Sequence, residues 1–186
     1  MATYERELLD TARLLLTRQP GQKGKLPSAR IRRSISTAYY ALFHFLLDQA
    51  AKSLVGSTNN VSRRRRVLAR VFAHTGVNAT LEKVRGAQVH DSVSVFMRFG
   101  VDAVGPVACP TFVRDMASAF ADAHTFRQDA DYDRNKPIFA ENATQLIERV
   151  EQAMFGWSVA NTASERDFKH ALCMLMLLKG QLRRGD

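Results

Sequence analysis

Apolar residues recur at three- and four-residue intervals along most of the chain, which is the signature of helices that bury one face. Leu8, Leu9, Ala12, Leu15 and Leu16 predict a helix from Tyr4 to about Arg18, ended by Pro20 and Gly21. The stretch from Pro20 to Pro27 reads as a basic loop, and Ser28 as the N-cap of a second helix reaching about Val55. Ile31, Ile35, Ala38, Leu42, Phe45 and Leu46 form its apolar stripe. Tyr39, Tyr40 and Phe43 leave it so little polar surface that it is expected at the centre of the core. A turn at Gly56, Ser57, Asn59 and Asn60 leads to a helix from Arg63 to His74 with Val67, Leu68, Val71 and Phe72, capped by Ser62 and stopped by Gly76. A short helix is expected over Ala79 to Val89, then a long loop from Val93 to Pro110 with room for a short strand. Thr111 caps a helix running toward Tyr132, and Pro137 starts a long one past Trp157. Ser164 caps a last helix that carries Phe168, Leu172, Leu175 and Met176 to Gly180. The pattern predicts an all-α bundle of five to seven helices.

With 186 residues the chain suits one domain with an appendage. The expected division is a helical body over 1–160, with 61–110 as an insertion in it, and a C-terminal helix over 161–186 packed on that body. Hydrophobic residues at 46% and charged residues at 24% are those of a folding chain rather than a disordered one. No stretch approaches the roughly 20 apolar residues needed to cross a bilayer. The start, Met1 to Asp10, lacks the pattern of a secretion signal. Cys109 and Cys173 lie far apart with no zinc-ligand spacing, which points to a reducing, cytoplasmic compartment. The five histidines, His44, His74, His90, His124 and His170, are scattered, and no phosphate-loop, GxSxG or HExxH motif occurs. No metal or cofactor is expected.

The net charge of +9 favours polyanions as neighbours, and arginine supplies 20 of the 27 basic residues. Guanidinium grips phosphate oxygens with two parallel donors, so the clusters Arg30, Arg32, Arg33 and Arg63, Arg64, Arg65, Arg66 are candidate nucleic-acid contacts. Solvated helix faces would give the same pattern. On the second helix Arg33, Thr37, Tyr40 and His44 fall on one stripe, an expected polar seam in which His44 serves as a hydrogen-bonded core residue. Further on, Arg127 and Asp131 stand four apart and can pair on a helix, with Tyr132 packed beneath.

Taken together, Arg33-Ser-x-Ser-x-Ala-Tyr-Tyr-Ala-x-Phe-His on an early helix and Arg127-x-x-Ala-Asp-Tyr-Asp ahead of a long helix resemble the HEPN superfamily, the higher eukaryote and prokaryote nucleotide-binding proteins. The branch in question is the stand-alone bacterial and archaeal one with an Arg-x-x-Ala-Asp-Tyr signature. The resemblance spans Tyr4 to Trp157 and leaves Val61 to Pro110 and the final helix unexplained. It implies a HEPN-like helical bundle that dimerises and, in many members, a metal-independent endoribonuclease with an arginine, a polar residue and a histidine. Arg127 matches the arginine and Gln128 the polar residue, and Tyr132 stands where the active members carry histidine. A tyrosine with a pKa near 10 is a poor base at neutral pH. His124, three residues before Arg127, offers an imidazole on the same face.

The resemblance thus implies RNA or nucleotide phosphate as ligand, a homodimer, and a toxin or defence setting with a nucleotidyltransferase antitoxin as partner. A non-catalytic interaction module docking a nucleotidyltransferase or another protein is the alternative. A DNA-binding regulator using the Arg63 to Arg66 helix is a third, without convincing helix-turn-helix spacing.

Overall fold

The computed structural model describes residues 3–18, 21, 23–58, 62–70, 74–98 and 105–178. The expected helix stop at Pro20, the turn residues Asn59 and Asn60, the apolar pair Val71 and Phe72, the loop glycine Gly100 and the terminal Gly180 lie outside these residues. Among the described residues the chain is all-helical, with no strand beyond an isolated antiparallel bridge between Gln88 and Ala108. Among the described residues eight helices follow one another, where five to seven were expected: α1 (Tyr4–Leu16), α2 (Ser28–Val55), α3 (Ser62–Ala69), α4 (His74–Glu82), α5 (Asp91–Met97), α6 (Thr111–Tyr132), α7 (Ala140–Val159) and α8 (Ala163–Leu177). No helix among the described residues is long and apolar enough to cross a membrane.

The chain divides into two compact units, Met1–Phe45 with Ala119–Phe155, and Leu46–Ser118 with Gly156–Asp186. In the first, Leu9 and Ala12 of α1, Ile35, Ala38 and Leu42 of α2, Phe120 and Ala123 of α6, and Ala143, Leu146, Ile147 and Val150 of α7 are buried. These are the apolar stripes of the sequence turned inward, and their burial supplies the main driving force for the unit. Ser34 sits fully buried in α2 because its hydroxyl donates to the Ala12 carbonyl at 2.8 Å, so the polar group is not left unpaired. Glu151 of α7 takes both Arg6, at 2.7 Å, and Arg13 of α1.

In the second unit α8 packs on α4 and α5. Its N-terminus carries a capping box: Thr162 accepts from the Glu165 backbone, while the Glu165 carboxylate accepts from the Thr162 backbone at 2.7 Å. The expected cap at Ser164 is thereby displaced by two residues. Two further expectations change here. Gly76, expected to stop a helix, lies inside α4, which starts at His74 instead of Ala79. Burial of Val77, Thr80 and Leu81 outweighs the roughly 1 kcal/mol that glycine costs in a helix interior, and Thr80 donates to the Gly76 and Leu175 carbonyls. The segment read as a loop from Val93 contains most of α5, where Val93, Ser94 and Met97 are buried and a His90 ring nitrogen caps the helix by accepting from the Ser92 N–H. Cys109 and Cys173 are both free and buried.

Candidate functional site

Ser36, Tyr39, Tyr40, Phe43 and His44 recur on α2 at the three- and four-residue spacing of one helix face, and α6 lies against that face in the first unit. The centre of the contact is Arg127. Its guanidinium carbon lies 5.8 Å from the ring centres of Tyr39 and Tyr40 and 5.4 Å from that of Tyr132, so three aromatic faces surround the cation. Nε stands 2.7 Å from Oδ2 of Asp131, one turn along α6, although the N–H is not aimed at that oxygen. Nη2 donates to the Tyr40 hydroxyl at 3.4 Å. The other oxygen of Asp131 accepts from Ser36 at 2.5 Å, which fixes the carboxylate between the two helices. Nη1 meets no protein acceptor among the described residues, and the Arg127 side chain is 22% exposed.

Charge follows from this packing. Burial works against the Arg127 cation, but Tyr40, Asp131, Tyr132 and Tyr39 outweigh it and raise its pKa. Burial drives the Tyr39 phenol up to about 12 in spite of Arg127. His124 packs between Tyr39, with ring centres 5.8 Å apart, and Phe120, stacked nearly parallel at 6.5 Å. Burial lowers its pKa, and the Arg127 charge lowers it further, so the ring is neutral at pH 7.

The structure therefore gathers Arg127, His124, Tyr132 and Tyr40 into one cluster, with Gln128 exposed on the same helix and Tyr132 itself 74% exposed. Ser36 and Tyr39 complete it; their α2 register with Tyr40 was the sequence signal for them. The expected seam on α2 is more aromatic than polar. Arg33 is exposed, Thr37 donates to the Arg33 carbonyl at 2.7 Å, and His44 lies among the rings of Tyr4, Tyr40 and Phe43, its pKa lowered by burial against the opposing effect of Glu5.

Within each arginine cluster some side chains are taken by backbone carbonyls and others stay exposed. Arg30 donates to the Leu14 and Thr17 carbonyls at the end of α1, at 3.3 and 2.7 Å. Arg32 spreads its guanidinium over the carbonyls of Asp129, Ala130, Asp133, Arg134 and Lys136 at 2.7–3.3 Å, closing the C-terminus of α6. Arg65 does the same for the end of α2 through the Gly56 and Thr58 carbonyls. A cation at a helix C-terminus satisfies carbonyls that have no intrahelical partner and meets the negative end of the dipole. Arg33, Arg63, Arg64 and Arg66 remain exposed. Among the described residues no group of histidine, cysteine and carboxylate side chains could hold a metal ion.

Comparison with family models, with curated proteins and with solved structures finds no match to this chain.

Proposed function

We propose that this chain is a HEPN-type protein that binds RNA phosphate at Arg127 and acts, as a homodimer, as a metal-independent endoribonuclease. The observation that carries the reading is the Arg127 guanidinium: Asp131 pairs with its charge, Tyr40 accepts from Nη2, and Nη1 meets no protein acceptor among the described residues, with an imidazole three residues earlier on the same helix whose pKa is lowered by burial. In the proposed reaction His124 takes the proton of a ribose 2′-hydroxyl, whose oxygen attacks phosphorus. The bond to the 5′-oxygen breaks, water protonates that leaving group, and Arg127 neutralises charge on the phosphoryl oxygens. The products are a 2′,3′-cyclic phosphate and a 5′-hydroxyl. Tyr132, exposed in the histidine place of the motif, contributes an aromatic face for a base rather than a proton acceptor. Cleavage of a mixed-sequence RNA should persist in EDTA and yield those ends, and should collapse in Arg127→Ala and in His124→Ala. RNA left intact by the wild-type protein would refute the nuclease chemistry.

A second reading has its own observation. The Arg127 charge is already compensated by Asp131 and framed by three tyrosines, as in an ion pair that serves only the fold. The chain is then a non-catalytic module that docks a nucleotidyltransferase or another protein. It predicts that Arg127→Ala loses thermal stability and nothing else.

A further inference from the structure

A polar cavity of about 600 Å³ lies in the second unit, remote in sequence from the Arg127 motif and built from the end of α2, the end of α7 and the outer turns of α8. Lys52, Ser53, Arg166, Asp167, Lys169 and His170 contribute its chemistry. Lys52 is bridged to Asp48 at 2.5 Å. The other two cations have no carboxylate within salt-bridge distance among the described residues. Arg166 spends Nη1 on the Asn161 carbonyl at 2.7 Å, and its Nη2 and Nε have no protein acceptor there. Lys169 donates to the Trp157 carbonyl at 2.6 Å and to that of Ala160, while its ammonium lies over the faces of Phe112 and Trp157 at 5.3 and 5.4 Å. Burial lowers the Lys169 pKa and outweighs the opposing effect of Glu165 and Cys173. His170 Nδ1 and the Ser53 hydroxyl are 3.0 Å apart, which leaves the other ring nitrogen open to a ligand.

We infer that this cavity binds a phosphate group, either as the free dianion or as the head of a small phosphomonoester. The free Nε–Nη2 edge of the Arg166 guanidinium, the remaining proton of the Lys169 ammonium and one donor from the Ser53–His170 pair make a set that a tetrahedral dianion takes up, and a planar carboxylate needs fewer of them. Asp167 on the rim opposes an anion, and it disfavours a general accumulation of anions over one held by directed donors. The volume admits a group larger than phosphate alone.

The chain's single tryptophan, Trp157, lines this cavity and carries Lys169 on its ring, so its fluorescence reports the site directly. Inorganic phosphate and adenosine 5′-monophosphate should each be titrated into the full chain at constant ionic strength, with chloride as control. Saturable quenching or a spectral shift by either phosphate, and not by chloride, is expected. Similar affinities assign the site to free phosphate, and tighter binding of the monophosphate assigns it to a phosphomonoester. Arg166→Gln, at an exposed helix position, should weaken binding by about tenfold or more, and Lys52→Gln by less because Asp48 already engages that lysine. Trp157 belongs to the second unit and Arg127 to the first, which keeps this test separate from the RNA reading. A linear response without saturation, an equal response to chloride, or unaltered affinity in a folded Arg166→Gln chain overturns the inference.

Discussion

Nε of Arg127 lies 2.7 Å from Oδ2 of Asp131, and the carboxylate that makes this contact is itself held from α2 by the Ser36 hydroxyl. One residue pair therefore ties α6 to α2 and sets which edge of the guanidinium is free. Both side chains are less than a third exposed, so the pair is partly shielded from solvent. A double-mutant cycle with Arg127→Ala and Asp131→Asn should give a coupling of about 0.5–1 kcal/mol in urea unfolding. Asp131→Asn should also raise RNA affinity, because the cation loses its internal competitor. Lower RNA affinity in that variant would mean that the carboxylate orients Arg127 more than it competes for it.

Arg32 is predicted to matter for stability and not for RNA. Its five carbonyl acceptors belong to the end of α6 and the turn that follows. Arg32→Ala should cost about 1–3 kcal/mol by urea denaturation, and Arg32→Lys should recover only part of it, since a point charge cannot bridge the same set. An Arg32→Ala chain with unchanged urea midpoint would show that the carbonyls are equally well served by water.

Much of the fold was legible in the apolar spacing. The long helices α1, α2, α6, α7 and α8 each bury a stripe whose period is visible without partners. The α4 and α5 region was not legible, because Gly76 and the β-branched run from Val93 disfavour helix locally and only packing on α8 overrides that preference. The Arg127 segment could be singled out because Arg127, Asp131 and Tyr132 lie within two turns of one another. The role of Arg30, Arg32, Arg65 and Lys169 as helix C-caps could not. The carbonyls that Arg32 takes lie 97 to 104 residues away, and a guanidinium that caps a helix has the same letter as one that waits for phosphate.

Salt dependence separates those two kinds of arginine. Arg63, Arg64 and Arg66 are exposed, whereas Arg65 holds the end of α2. Replacing Arg63, Arg64 and Arg66 by glutamine should lower the slope of log affinity against log salt by about 2 for single-stranded RNA, at roughly 0.7 per phosphate contact. A slope identical to wild type would assign these side chains to solvent.

Stability should fall in mild acid. Burial lowers both His44 and His124; Glu5 opposes it at His44, and Arg127 adds to it at His124. The unfolded chain titrates these rings near 6.5 and so binds more protons than the folded chain just below that pH. The stabilisation from neutral burial is complete above about pH 6.5 and is lost as pH falls through that value toward the lower folded pKa values. Thermal unfolding across this range should show the decline, and His124→Gln should make it shallower. Parallel curves for the two proteins would indicate that His124 protonates as easily folded as unfolded.

The most direct test of the Arg127 reading is fluorescence anisotropy of a short single-stranded RNA at low salt, with wild type and Arg127→Ala measured in parallel and both checked for cooperative melting. The account predicts saturable binding by the wild-type protein and a loss of about tenfold or more in the folded variant. Equal binding by the two proteins, or no binding by either, would contradict it.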